Sequence, residues 1–252
     1  MPSPPSPDPD QGVFETILVV DRTAIELQPH LARLGASLAS LYGAELPAQA
    51  GEAIVRRAGE LALGRLRLKV APRGGSGLAW EAVGAEIDPS LQFPPAERGA
   101  ELTSHLLPGG LGPHKWVDRS VLPPEDGGIV PLLLDDGGEV LETTRSNVFA
   151  GIAGRLVTPP ADGRILAGVT RAAAIELARA DGIEVAERRL SPEELFAAEE
   201  VFLTNSLRGI EPARRLDGTG LHCAGEVAGR LSEGLRRRWA SNVRPAMGVF
   251  RG

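Results

Sequence analysis

The sequence predicts an α+β (mixed α/β) protein built in two lobes. Short strands and amphipathic helices interleave along most of the 252 residues. Glycine and proline punctuate both ends of one interval, 108-PGGLGP-113, which divides the chain. Beyond that interval the texture changes to short strands joined by hairpin turns, with helices set between them. The length suits one large domain or two modest ones, and 42% hydrophobic with 24% charged residues is ordinary for a globular chain.

The proline-rich, acidic opening MPSPPSPDPDQ, residues 1–11, is expected to be a flexible tail. Next, 13-VFETILVV-20 reads as a strand and Asp21-Arg22 as a turn. Leu27, Leu31, Leu34, Leu38 and Leu41 recur at helical spacing, and Gly43 suits the C-cap. A second helix is expected over 50–64, followed by a strand in which Leu66, Leu68 and Val70 alternate. The stretch 72-PRGGSG-77 reads as a turn or loop and 79-AWEAVGAEI-87 as another strand. Residues 12–107 are thus expected to form a small N-terminal α/β domain, with 108–114 as the interdomain linker and 115–252 as the C-terminal domain.

In that last part, 129-IVPLLLDDGGEVLETT-144 reads as strand, Asp-Asp-Gly-Gly turn, strand. Two short strands around a glycine turn are expected over 147–159, then a strong helix over 168–182 with Thr170 near its start. A strand at 183–190 precedes 191-SPEEL-195, which opens a helix with Ser at the N-cap and Pro at N1. A strand at 200–206 and a terminal helix at 222–240 complete the pattern.

Composition narrows the function. A net charge of −6 with dispersed basic residues argues against a nucleic-acid surface, and the triplet Arg236-Arg237-Arg238 reads as a solvated helix face. The one cysteine, Cys223, permits no disulfide within the chain and points to a reducing compartment. That count, with histidines only at 30, 105, 114 and 222, fits no familiar zinc pattern. No apolar run approaches the roughly 20 residues that span a bilayer, and the opening does not read as a signal peptide, so a cytoplasmic protein is expected. Without a GxSxG elbow, an HExxH motif or a dinucleotide fingerprint, a serine hydrolase, a zinc enzyme and a Rossmann oxidoreductase are disfavoured.

Several local features carry chemistry, each with a plainer meaning in isolation. In 168-GVTRAAAIEL-177 a glycine and a threonine open a helix, which suits a phosphate but equally suits an ordinary cap. A carboxylate at a strand end and a Ser-Asn pair meet in 142-ETTRSNVF-149, and a strand runs into a polar loop in 203-LTNSLRGIEP-212. Arg33 lies on the polar side of a helix, and His30 beside it reads as a surface or capping residue. Lys115 stands in 111-LGPHKWVDRSVL-122, and nothing inside that stretch separates a solvated charge from a reactive amine.

In their order along the chain these features resemble the class IV aminotransferase family, the fold-type-IV enzymes that use pyridoxal 5'-phosphate. The landmarks are 12-GVFET-16, 30-HLARL-34, Lys115, 139-EVLETTRSNVF-149, 158-TPPADGRILAGVTR-171 and 201-VFLTNS-206. Together they run from residue 12 to about 216, and the block 139–206 is the most specific. The resemblance makes 115–252 the cofactor-binding domain and implies Lys115 as Schiff-base lysine and proton shuttle. It implies Glu142 on the pyridine nitrogen, with Ser146 and Asn147 beside the cofactor. Arg33 is implied as the phosphate clamp, joined by Val169, Thr170, Thr204 and Asn205.

Among members of the family, 107-LPGGLGPHKWVDR-119 and the opening strand look most like 4-amino-4-deoxychorismate lyase. That likeness implies conversion of aminodeoxychorismate to 4-aminobenzoate and pyruvate, a homodimer, and a functional link to aminodeoxychorismate synthase. A class IV transaminase, branched-chain or D-specific, is the alternative, with Arg73, Arg145 and Arg208 as candidates for a substrate carboxylate. A non-catalytic cofactor-binding or interaction module is the second. Two departures stand out. Asp118 occupies a position, three after the lysine, where relatives commonly have Asn, and is expected to handle a leaving-group proton. A proline-rich stretch also replaces the segment that precedes GVFET in relatives and contributes to substrate recognition there.

Overall fold

A computed structural model of the chain describes residues 6–74, 77–125, 127–223 and 225–243. The first lobe holds β1 (Val13–Val20), β2 (Thr23–Ala24), α1 (Leu27–Tyr42), α2 (Ala48–Ala58), β3 (Leu63–Arg73) and β4 (Gly77–Glu86). Its four strands form an antiparallel sheet in the order β2-β1-β3-β4. One face carries the alternating residues Leu66, Leu68 and Val70, which pack with Ile17, Leu34, Leu38 and Ile54 beneath the two helices. Each such Leu or Ile contributes about 1.5–3 kcal/mol by leaving water. The other face, with Phe14, Thr16, Arg65 and Arg67, lines a cavity.

The second lobe holds β5 (Ala100–Leu106), β6 (Val130–Leu134), β7 (Val140–Thr143), β8 (Asn147–Ile152), β9 (Arg155–Thr158), α3 (Val169–Ala180), β10 (Val185–Glu187), α4 (Pro192–Ala197), β11 (Glu200–Asn205), β12 (Gly209–Leu216), β13 (Thr219–Gly220) and α5 (Glu226–Val243). The strand path β10-β9-β8-β11-β12-β5-β6-β7 returns on itself, because β7 also pairs with β8 through Glu142 and Asn147. The ring β8-β11-β12-β5-β6-β7 is therefore closed, and its seam lies at residues 142 and 147.

Alternation sorts the strand residues between two cores. Val148, Ala150, Val201 and Leu203 join Leu102, Val130 and Leu132 in one cluster. Phe149 and Phe202 point the other way, against Ala173, Ala174, Leu231 and Leu235 of the covering helices α3 and α5. Their rings stack at 5.2 Å, worth about 0.5–1.5 kcal/mol beyond burial alone. With both faces covered, these strands read as continuous apolar runs rather than as alternating ones.

Most expected elements are present, with informative differences. The second helix stops at Ala58, because Leu63 already belongs to a strand paired with β1 and β4. Of the loop expected at 72–77, residues 72, 73 and 77 belong instead to the paired strands β3 and β4, and residues 75 and 76 lie outside the described ones. Neither β5 nor β12 is apparent from sequence pattern. Parallel pairing joins them to each other, across more than a hundred residues. The chain passes from one sheet to the other between Glu86 and Ala100, so 108–114 connects β5 and β6 of the larger sheet. Of the expected tail, residues 1–5 lie outside the described ones. Residues 9–11 form a 3-10 turn capped by Asp8, and Tyr42 Oη donates to the Pro9 carbonyl at 2.6 Å. Among the described residues no helix is long and apolar enough to cross a membrane, and no group of His, Cys, Asp and Glu could hold a metal.

Candidate active site

Between the sheets lies a cavity of about 510 Å³, lined by all the residues that the family resemblance implies as catalytic or cofactor-binding: Lys115, Asp118, Arg33, Glu142, Ser146, Asn147, Val169, Thr170, Thr204 and Asn205. Lys115 arrives on the long connection from β5 to β6. Its carbonyl accepts from Phe14 N at 2.8 Å and Val117 N donates to Gly12 O at 3.0 Å, so the loop is stitched to the start of β1. Trp116 Nε1 donates to Leu111 O at 3.0 Å and closes the turn. The Lys115 amine sits 5.0 Å from the centroid of the Phe14 ring. Burial, then the nearby charge of Arg33, lowers its pKa to about 8, against opposing pulls from Glu15 and Glu142. An amine of that kind has a substantial neutral fraction near physiological pH and serves as nucleophile and base.

Glu142 sits at the seam of the ring, 5% exposed. One carboxylate oxygen accepts from Leu166 N and the other from Asn147 Nδ2, both at 3.2 Å. Burial pushes its pKa up to about 8, and the Leu166 hydrogen bond and the charge of Lys115 only partly oppose this. Among the described residues it has no cationic side chain within ion-pairing distance. A cationic N–H from a bound molecule would complete its surroundings. Asn147 Nδ2 also donates to Leu166 O at 2.9 Å, and its Oδ1 lies where a Cβ on residue 168 would fall, which is why glycine opens α3. Ser146 is fixed through backbone bonds to Thr143, and its hydroxyl accepts from Asn205 Nδ2 at 2.9 Å.

The first turn of α3 faces this cavity, with no side-chain cap among the described residues. Its orphan N–H groups, the Thr170 hydroxyl and the positive end of the helix form an anion cup. Thr170 Oγ1 reaches Ser206 Oγ at 3.4 Å, and the buried Thr204 Oγ1 has no hydrogen-bond partner among the described residues. Arg33 closes the cup from α1. Its Nε and one terminal nitrogen grip Glu15 at 2.7 Å each, and the other terminal nitrogen donates to Ala167 O at 3.0 Å. Three of its five N–H donors are thereby used and two remain. His30 is not a surface or capping residue: it is buried, its Nδ1 2.7 Å from Glu15. Burial alone would raise the Glu15 pKa, yet Arg33 and His30 outweigh it and hold the carboxyl at about 2.

Asp118 uses both oxygens on backbone donors, Asp8 N at 2.8 Å and Ser120 N at 2.9 Å. These bonds, that from Asp8 first, hold its carboxyl below the usual range. A carboxylate so engaged has no proton to give near neutral pH, and its contacts suit anchoring of the Lys115 loop rather than the proton handling expected of it.

Five arginines line the rest of the cavity, and two of them, Arg145 and Arg208, are among the carboxylate-binding candidates. Both reach the buried Glu211, at 3.3 and 3.1 Å. Arg73, the third candidate, does not line the cavity. Arg65, Arg67 and Arg119 do, and among the described residues none has a carboxylate within ion-pairing distance. Arg67 instead lies 4.0 Å over the Phe14 ring, and Arg119 donates to the Thr144 carbonyl. The alternation of β3 exposes Arg65 and Arg67 on one face, but only the position of the sheet shows what that face meets. Glu15 is visible within GVFET, but nothing in the sequence gives it a role.

Residues 125–216 match the family model described as amino-transferase class IV. A putative branched-chain-amino-acid aminotransferase of Methanocaldococcus jannaschii is 39% identical over 116 residues, covering 44% of this chain and 40% of its own length. The match thus spans well under half the length of that curated relative. Solved structures align over nearly the whole chain. A hypothetical aminotransferase from Mycobacterium tuberculosis in its PLP-bound form superposes with a TM-score of 0.77 at 25% identity, covering 96% of this chain and 95% of its own. The 4-amino-4-deoxychorismate lyase of Pseudomonas aeruginosa gives 0.74 at 28% identity, covering 90% of this chain and 91% of its own. The chain has the fold-type-IV architecture, with a class IV amino-transferase segment at 125–216.

Proposed function

We propose that this protein is a pyridoxal 5'-phosphate enzyme that converts 4-amino-4-deoxychorismate to 4-aminobenzoate and pyruvate. When bound, the cofactor supplies an aldehyde that captures an amine and a ring that stores an electron pair. The residues present fit it. Lys115 offers a reactive amine, Glu142 a buried carboxylate for a ring N–H, and the first turn of α3 with Thr204 and Arg33 an anion cup. Asn147 holds Glu142, and Ser146 holds Asn205 at the end of β11.

The observation that carries the choice of substrate is the set Arg65, Arg67 and Arg119, three cavity cations without carboxylate partners among the described residues. Aminodeoxychorismate carries two carboxylates, and guanidinium groups bind carboxylates through paired, charge-assisted hydrogen bonds. Lys115 Nζ takes the proton from the amine-bearing ring carbon. It then returns that proton to the departing enolpyruvyl group, which leaves as pyruvate while the ring becomes aromatic. Phe14, Trp116 and Leu111 limit water around that amine.

An amino-acid transaminase is the second reading. The name of the Methanocaldococcus jannaschii relative favours it, and the same apolar residues would receive a branched side chain. Aminodeoxychorismate given to the purified protein with pyridoxal 5'-phosphate decides the matter. Pyruvate and 4-aminobenzoate should appear in equal amounts; transfer of the amino group to a 2-oxo acid without pyruvate would defeat the lyase reading. A bare cofactor-binding module has no use for the activated Lys115, and turnover of either substrate excludes it. The reading also carries a homodimer, checked by sedimentation, and a link to aminodeoxychorismate synthase, checked by coupling the two activities.

A further inference from the structure

The three consecutive arginines of α5 do not share one environment. Arg237 is solvated, 74% exposed, with Glu233 of its own helix at 3.7 Å. Arg238 turns inward. Its Nε and one terminal nitrogen hold both oxygens of Glu26 at 2.7 and 3.0 Å, and the other terminal nitrogen holds Glu176 at 2.6 Å. Asn242, one turn further, accepts from Glu26 N at 3.1 Å. Glu26 is the left-handed N-cap of α1 (φ 51°), in the small lobe, and its side chain makes no cap of its own. Glu176 lies on α3, in the large lobe.

Arg238 thus holds α1 by its N-cap Glu26 and α3 by Glu176, and each helix carries part of the anion cup seven residues away. From Glu26 seven residues lead to Arg33, and from Glu176 seven lead back to Val169. Seven residues are about two turns, or roughly 10 Å of helix. The Arg33–Ala167 bond ties α1 to the start of α3 at the cup, and Arg238 ties the same two helices together at the far end.

Arg236 grips the covalent passage between the lobes. Its guanidinium lies 4.1 Å over the ring of Phe93, which also packs on Trp239 at 5.0 Å. Phe93 has φ +46°, a strained value for a bulky residue, and its N–H donates to Arg208 O at 2.8 Å. The ring fills the space a side chain on residue 209 would need, so Gly209, at φ +67°, ends the 206–208 turn between β11 and β12.

We infer that α5 is an interlobe clamp: Arg238, supported by Arg236 on the connector, sets the register of α1 against α3 and thereby aligns Arg33 with the helix N-terminus that receives the cofactor phosphate. Both are positioning residues. The inference rests on the reading of that cup as a phosphate site.

The test compares apoprotein variants Arg238→Met, Glu26→Gln and Arg237→Ala for equilibrium binding of pyridoxal 5'-phosphate and of pyridoxal, which lacks the phosphate. Arg238→Met and Glu26→Gln should each weaken pyridoxal 5'-phosphate about tenfold and leave pyridoxal unchanged, while Arg237→Ala alters neither. Equal loss of both ligands, or no loss of either, overturns the clamp. Amide hydrogen exchange on the apoproteins gives an independent reading. Arg238→Met should speed exchange in the second turns of α1 and α3, whose N–H groups are hydrogen-bonded within the helices, and unchanged protection there overturns the inference. Should Arg238→Met prove hard to fold, Glu26→Gln is read by the same criterion. Failure of the wild-type protein to bind pyridoxal 5'-phosphate would sink the proposed function instead, and exchange would still decide the clamp.

Discussion

The wall that the larger sheet presents to the cavity is hydrogen-bonded to itself around Glu142, Asn147, Ser146 and Asn205, leaving Thr204 Oγ1 and the start of α3 open, whereas the wall presented by the small sheet has no such set among the described residues. On the first, Glu142, Asn147, Ser146 and Asn205 form a continuous set of contacts through side chains and backbone. On the second, Arg65 and Arg67 stand on an open face of β3 without carboxylate partners among the described residues. A wall whose polar groups satisfy one another keeps its shape whatever is bound, which suits a resident cofactor. A wall of guanidinium groups without carboxylates presents donors to an anion that arrives and leaves. Under the proposed function the larger lobe holds most of the cofactor site and Arg65 and Arg67 of the small lobe meet the substrate, while Arg33 of α1 and Arg119 of the β5–β6 connection cross that division and Lys115 sits on a loop stitched to β1.

Breaking the shared element should have the largest effect. Lys115→Ala should lower turnover by at least about a thousandfold and abolish the mass increase that borohydride fixes on the protein after cofactor addition; retention of that increase would mean another amine is used. Glu142→Gln attacks the self-satisfied wall and should cost on the order of a hundredfold in kcat, with cofactor still bound by equilibrium dialysis. If cofactor binding were lost along with activity, Glu142 would be holding the wall together rather than serving the ring.

Arg67→Met sharpens the comparison from the other side. It should raise KM for a dicarboxylate substrate about tenfold and leave cofactor affinity alone; an unchanged KM would place the substrate anion elsewhere. Lys115 also predicts a pH dependence. Its neutral form is the nucleophile and its pKa is lowered to about 8, so the rate of covalent cofactor capture by the apoprotein should climb as pH rises to about 8 and level off above it. A rate still climbing at the pH of an ordinary lysine would show the amine to be unperturbed. The smallest change is expected at Asp118→Asn. The amide keeps an acceptor for Ser120 N but can set a donor against Asp8 N, so residues 8–11 should lose protection from exchange while kcat moves only a few-fold. A collapse of kcat there would restore a chemical role to the carboxylate.

Much of this organisation is legible in the amino-acid sequence by itself. The leucine spacing of α1, the alternation of β3 and the capping box at Ser191 and Glu194 each depend on neighbours within a few residues. The landmark order likewise points to Lys115, Glu142 and the α3 N-terminus, and all of them line one cavity. What a chain shows in isolation is which faces it must bury and which turns it can make. It does not show which face meets which, because that depends on strand order.

Only the tertiary structure decided the rest. Parallel pairing of β5 with β12 and the closure at Glu142 and Asn147 join residues whose local patterns do not name each other. The same holds for Glu15, one residue of a strand by its local pattern, until α1 brings His30 and Arg33 against it. Arg236, Arg237 and Arg238 carry identical side chains in one helix, yet that helix points them about 100° apart in turn. One meets Phe93, one meets water and one meets two carboxylates from two lobes. Their chemistry is written in the sequence, and their roles come from the surfaces that folding sets beside them.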